Sequence, residues 1–153
     1  RGANVHVRDR EGFTPLHYAA ADMYGEAPLQ WWAYPEADHS RLAALLLAKG
    51  ADVNARANNG YTPLHYAAQE GRREGRVEMV RLLLKSRAKV SLLAKDGSTP
   101  LHLAAASDSV GAARLLLAAG ARLDAKDKQG RTPLDVALGE KSQGVVKLLR
   151  ARR

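Results

Sequence analysis

The heptapeptide Thr-Pro-Leu-His-Tyr-Ala-Ala begins at Thr14 and again at Thr62. Close variants begin at Thr99 (Thr-Pro-Leu-His-Leu-Ala-Ala) and Thr132 (Thr-Pro-Leu-Asp-Val-Ala-Leu). A unit recurring at intervals of 48, 37 and 33 residues must bury its apolar face mainly against neighbouring copies of itself. Each copy is followed by a leucine run, at residues 45–47, 82–84, 115–117 and 148–149. Three of these runs lead into related linkers: Gly50-Ala51-Asp52-Val53-Asn54-Ala55, Arg87-Ala88-Lys89-Val90-Ser91-Leu92 and Gly120-Ala121-Arg122-Leu123-Asp124-Ala125. A fourth linker copy, Gly2-Ala3-Asn4-Val5, opens the chain.

Local chemistry explains the recurring residue types. Threonine at an N-cap satisfies free backbone N–H groups, and proline at the first helical position gives up a donor the helix could not use, so Thr-Pro marks a helix start. The leucine and the alanine pair predict a short first helix packed closely on a second helix that carries the leucine run. Gly50 and Gly120 stand where a helix end calls for a left-handed residue, and Arg87 breaks that pattern. Asn58-Asn59-Gly60, Asp96-Gly97 and Gln129-Gly130 read as turns delivering the chain to the next start.

These residues resemble the ankyrin repeat family, whose unit is about 33 residues long with a Thr-Pro-Leu-His signature. The resemblance covers nearly the whole chain. It implies an all-α solenoid of about four stacked turn-helix-helix repeats, with turn fingers on one side and the first helices lining a concave palm. The chain then divides, within a single domain, into a partial leading finger (1–11), repeat 1 (12–59), repeat 2 (60–96), repeat 3 (97–129) and repeat 4 with a C-terminal cap (130–153). The start within a linker copy suggests a further repeat upstream. The polar Gly139-Glu140-Lys141-Ser142-Gln143-Gly144 suggests a natural end of the array.

Measured against the 33-residue interval, the first repeat carries 15 extra residues and the second carries 4. Aligning the leucine runs places both surpluses between the two helices, as a long loop at residues 24–38 and a short insertion near Arg72-Arg73-Glu74-Gly75. Equivalent loops of stacked repeats are neighbours, so both are expected on one rim. The long loop holds Tyr24, Trp31, Trp32 and Tyr34, and the short one offers Arg72, Arg73 and Arg76. Aromatic and arginine side chains dominate interface energies, which makes this rim a candidate contact site. Trp31 and Trp32 have two open placements, as a lid over the apolar flank of the first repeat or as part of the interface.

The resemblance implies a second candidate surface on the fingers and at the ends of the first helices. The finger positions are Arg10, Glu11 and Phe13; Asn58, Asn59 and Tyr61; Lys95, Asp96 and Ser98; Lys128, Gln129 and Arg131. Phe13 and Tyr61 share one slot and are expected to pair along the palm edge. The helix-end candidates are Asp22, Gln69, Glu70 and Ser107.

Catalytic and metal chemistry find no support in these motifs. His17, His65 and His102 occupy one signature slot, where the resemblance implies local hydrogen bonding around the Thr-Pro turn. Repeats about one helix diameter apart hold these rings too far from one another to share a zinc ion. With no cysteine, no Gly-rich phosphate loop, no His-Glu-x-x-His and no serine elbow, no catalytic residue, metal or cofactor is expected.

Charge is uneven along the chain. Residues 1–70 carry six Lys and Arg against eight Asp and Glu, and residues 71–153 carry eighteen against eight. Such a half raises nucleic acid or an anionic membrane as a partner, yet all eight aromatics fall between Phe13 and Tyr66. No aromatic is left there for base stacking, no DNA-reading motif occurs, and acids are interleaved; together these argue against nucleic acid. No stretch approaches the roughly 20 apolar residues that membrane insertion requires. The expectation is a non-catalytic scaffold in the cytoplasm that binds another protein, with some preference for an acidic surface. The alternatives are the targeting module of a larger enzyme or effector, secreted or not, whose catalytic domain lies outside this sequence, and, behind it, nucleic-acid binding.

Overall fold

In the computed structural model the structure describes residues 4–21, 39–69 and 74–152, with side chains for all but residues 74–76 of these. The described residues form eight helices and no strand. They are α1 (Pro15–Ala21), α2 (His39–Ala48), α3 (Pro63–Gln69), α4 (Glu74–Lys85), α5 (Pro100–Ala106), α6 (Val110–Ala118), α7 (Pro133–Gly139) and α8 (Gln143–Arg150). Each Thr-Pro begins a helix as its chemistry requires. Thr99 and Thr132 hold extended backbone, with ψ of 165° and 164°, and the proline after each enters the first turn.

Helices of seven residues do not persist alone in water, so α1, α3, α5 and α7 depend on their neighbours. They pack side by side as an inner layer, α1 on α3, α3 on α5 and α5 on α7, and each also packs on its own second helix. The outer layer stacks α2, α4, α6 and α8 in the same order. Ala19 and Ala20, Ala67 and Ala68, and Ala104 and Ala105 are buried between these helices, where small side chains let backbones approach. Leu46, Leu83, Leu116 and Leu149 hold equivalent outer-helix positions and are all buried, each contributing about 1.5–3 kcal/mol by leaving water.

The ends of the outer helices close alike. Gly50 and Gly120 take φ of 87° and 89°, and Arg87 takes the same left-handed conformation with φ of 67°. At Arg87 the Ala88 N–H bonds the Leu83 carbonyl and the Arg87 N–H bonds the Leu84 carbonyl, as happens at Gly50 and Gly120. The break in sequence pattern is thus no break in backbone geometry.

The short insertion lies differently from its expected place. Because α4 is twelve residues long against nine for α6, three of the four surplus residues extend the helix, and Glu74 and Gly75 are helical. The long insertion falls between the end of α1 at Ala21 and the start of α2 at His39, and residues 22–38 lie outside the described residues.

Candidate functional site

The fingers are joined by a ladder of backbone hydrogen bonds. Asn58 N–H donates to the Glu11 carbonyl at 2.7 Å, Lys95 N–H to Asn59 at 2.9 Å, and Lys128 N–H to Asp96 at 2.9 Å. Arginines reinforce it: Arg8 donates to the Arg56 carbonyl at 2.7 Å, and Arg56 donates to the Leu93 carbonyl at 2.5 Å. Arg10, Asn58, Lys95 and Lys128 therefore stand at equivalent places on successive fingertips, all exposed.

Behind each finger, a histidine couples one repeat to the next. The N–H groups of Thr14, Thr62 and Thr99 donate to Nδ1 of His17, His65 and His102 at 3.1, 3.2 and 3.1 Å. An accepting Nδ1 leaves the proton on Nε2, which donates to the carbonyls of Tyr61, Ser98 and Arg131 at 3.1, 3.2 and 3.0 Å. Both nitrogens of each ring are thereby engaged, and the bond to the following repeat extends the local bonding expected from the motif. Burial lowers His17 and His65 to about 4, which favours the neutral imidazole this geometry needs. Among the described residues, no three His, Asp or Glu side chains are placed to hold a metal ion.

Aromatic rings form a strip across the first two fingers and their helices. Phe13 contacts Tyr18 at 5.5 Å and Tyr66 at 5.3 Å between ring centroids, and Tyr66 contacts Tyr61 at 5.3 Å. Tyr66 thus joins Phe13 and Tyr61, replacing the direct pair expected from their shared slot. All four rings are half-buried. The three tyrosine hydroxyls are held in place: Tyr18 donates to Asp9, Tyr61 donates to Asp96 at 3.3 Å, and Asn59 donates to the Tyr66 hydroxyl at 2.8 Å. Burial, followed by the Asp96 charge, pushes Tyr61 up to about 12, and burial also raises Tyr66, so both stay protonated at neutral pH, Tyr61 donating to Asp96 and Tyr66 accepting from Asn59.

Tyr18 and Tyr66 were absent from the sequence-based candidates. Their signal lies in the motif itself, because the residue after the signature histidine is tyrosine in two copies, then Leu103, with Val136 in the same slot of the last copy. Leu103 and Val136 are 9% and 8% exposed, so the strip gives way to buried aliphatic side chains.

Other candidates have internal duties. Asn58 donates to the Arg10 carbonyl at 2.8 Å, and the Asn59 carboxamide oxygen accepts from Tyr61 N–H at 2.9 Å. Arg131 pairs at 2.8 Å with Asp127, whose side chain is 1% exposed. Burial alone would raise the Asp127 carboxyl, but hydrogen bonds from the Arg131 backbone and guanidinium and from Gln129 hold it below the usual range. Gln69 is exposed at the end of α3. Trp31, Trp32, Tyr34, Arg72 and Arg73 lie outside the described residues, and Arg76 lies in α4, where its side chain is not described.

No curated protein matches the chain. A family model for ankyrin repeats (3 copies) matches residues 1–94 and 72–152. Repeats of this kind are generally protein–protein interaction modules, typically without catalytic activity. With stacked helix pairs, tied fingers and a histidine bridge between repeats, the chain belongs to the ankyrin repeat family.

Proposed function

We propose that the chain is a non-catalytic scaffold that holds a protein partner across its palm and fingers, centred on the strip formed by Tyr18, Phe13, Tyr66 and Tyr61. The observation that carries this reading is the half-burial of four aromatic rings, Phe13 among three tyrosines whose hydroxyls are already oriented. Large amphipathic rings held in one arrangement lose little freedom when a partner covers them. Lys95 and Lys128 continue the fingertip row beyond the strip and favour an acidic surface on the partner. Trp31, Trp32 and Tyr34, with Arg72, Arg73 and Arg76, extend the contact on the rim.

Affinity capture with the intact chain, compared with a Phe13→Ala/Tyr66→Ala variant, tests the reading. The variant is expected to lose the captured protein while keeping its helical circular dichroism, whereas Leu45→Ala, on the outer face of α2, retains it. An unchanged captured set from the folded double variant would refute the role of the strip.

A further inference from the structure

The basic excess of the second half is segregated by the fold. Residues 77–89, 110–122 and 143–152, which are α4 from Val77 onward, α6 and α8 with the turns that follow, hold nine Lys and Arg against one acid, Glu78, and the first turn of α4 adds Glu74 and Arg76. All nine are exposed. Residues 90–109 and 123–142, the fingers, inner helices and inter-helix turns of the same region, hold five against six. The charge therefore lies on the side of the solenoid away from the palm.

Register organises this face. Arg81, Arg114 and Lys147 are 33 residues apart at the same position of three helices that pack side by side, so they form a row across the array. Lys85 and Lys89 extend the charge along α4 and its turn, and Arg150 extends it along α8. Arg81 pairs with Glu78 and Arg122 with Asp124, both at exposed positions, and the other seven make no ion pair among the described residues.

We infer that this outer face docks on an anionic lipid bilayer, leaving the palm directed away from the membrane. A protein partner would need an apolar or aromatic anchor, and α4, α6 and α8 expose none among the described residues, whose exposed large hydrophobics are Val7, Leu45, Leu93 and Leu138. A reader of single-stranded nucleic acid would need stacking rings, and this half has none. Spread over three helices in two dimensions, the charges match a sheet of headgroups better than a single line of phosphates. Charge alone suffices for such a surface, since each Lys or Arg adds to attraction within about a Debye length. No helix among the described residues is long and apolar enough to cross the bilayer, and the docking inferred is peripheral. It is also independent of what the palm binds.

Sedimentation of the full chain with vesicles tests this. At about 0.1 M salt, phosphatidylcholine vesicles with about 30% phosphatidylserine are expected to carry the protein down, and pure phosphatidylcholine vesicles are not. Arg114→Glu/Lys147→Glu is expected to weaken partitioning by about thirtyfold or more, whereas Lys95→Glu/Lys128→Glu, with the same change in net charge on the fingers, changes it less than about twofold. Should the charge reversal impair folding, Arg114→Gln/Lys147→Gln gives the same ordering with a smaller loss. Equal losses from both faces, or no sedimentation of the wild type, would overturn the inference. So would tighter binding to a DNA duplex that is lost in the outer-face variant.

Discussion

The Nε2–H of His65 donates to the carbonyl oxygen of Ser98 at 3.2 Å, across the boundary between the second and third repeats, while its Nδ1 accepts from Thr62 N–H. One buried ring thus caps its own helix and fastens the next finger. His17 repeats the arrangement with Thr14 and Tyr61.

This arrangement makes stability depend on pH. Folding lowers both rings from 6.5 to about 4, so between these values the unfolded chain binds more protons than the folded one. Their contribution is full above pH 6.5 and is lost as pH falls toward 4, amounting to roughly 3 kcal/mol per ring. Urea midpoints measured from pH 7.5 to 4.5 should fall steadily. A His17→Gln/His65→Gln variant should be weaker at pH 7.5 but show a flatter profile, and an equally steep profile would exclude these rings as the cause.

The fourth copy separates capping from bridging. Thr132 N–H and its hydroxyl both donate to Asp135 Oδ2, at 2.8 and 2.7 Å, so a carboxylate serves the local cap. His65→Asp would bury a charge and leave the Ser98 carbonyl without its donor, at about 3 kcal/mol or more. Asp135→His, at an exposed position, should change stability by about 0.5 kcal/mol or less. Chemical denaturation of the two variants should give this order.

Gly97 and Gly130 share left-handed backbone, with φ of 81° and 75°, but differ in what surrounds them. A Cβ on Gly97 would lie 2.7 Å from the Lys128 backbone nitrogen, whereas one on Gly130 meets nothing within 4 Å. Gly130→Ala should cost about 1–2 kcal/mol from conformation alone, and Gly97→Ala distinctly more because the finger ladder must shift. Comparable thermal shifts in the two variants would count against the ladder as a close-packed element.

Arg87 adopts a conformation that glycine supplies without strain at Gly50 and Gly120. Arg87→Gly should therefore stabilise the chain by about 0.5–1 kcal/mol, the relief of strain exceeding the added freedom of the unfolded state. A thermal midpoint raised by about 2 °C is the expected reading, and a lowered one would show that the Arg87 side chain contributes more than its backbone strain removes.

Helix starts were legible because Thr-Pro acts within one turn, and the buried leucines because their spacing repeats with the unit. The four surplus residues of the second repeat were harder to place, since alignment cannot distinguish a longer loop from the three added helical residues of α4. The finger candidates occupy the expected slots. The role of Tyr66 was missed because the pairing was sought between equal slots, whereas its ring reaches from the inner helix to the fingers of two repeats.

Sequence alone determined the repeat, its helix starts, the histidine slot and the leucines that each outer helix buries, because all of these follow from short-range chemistry copied along the chain. Tertiary structure decided which side each charge faces and which rings meet. Positions far apart in sequence become neighbours only when helices stack, so Arg81, Arg114 and Lys147 form one face, and Phe13, Tyr18, Tyr61 and Tyr66 meet on another. The excess of eighteen Lys and Arg over eight Asp and Glu in residues 71–153 thereby becomes a basic back and a nearly neutral front in the second half of the solenoid.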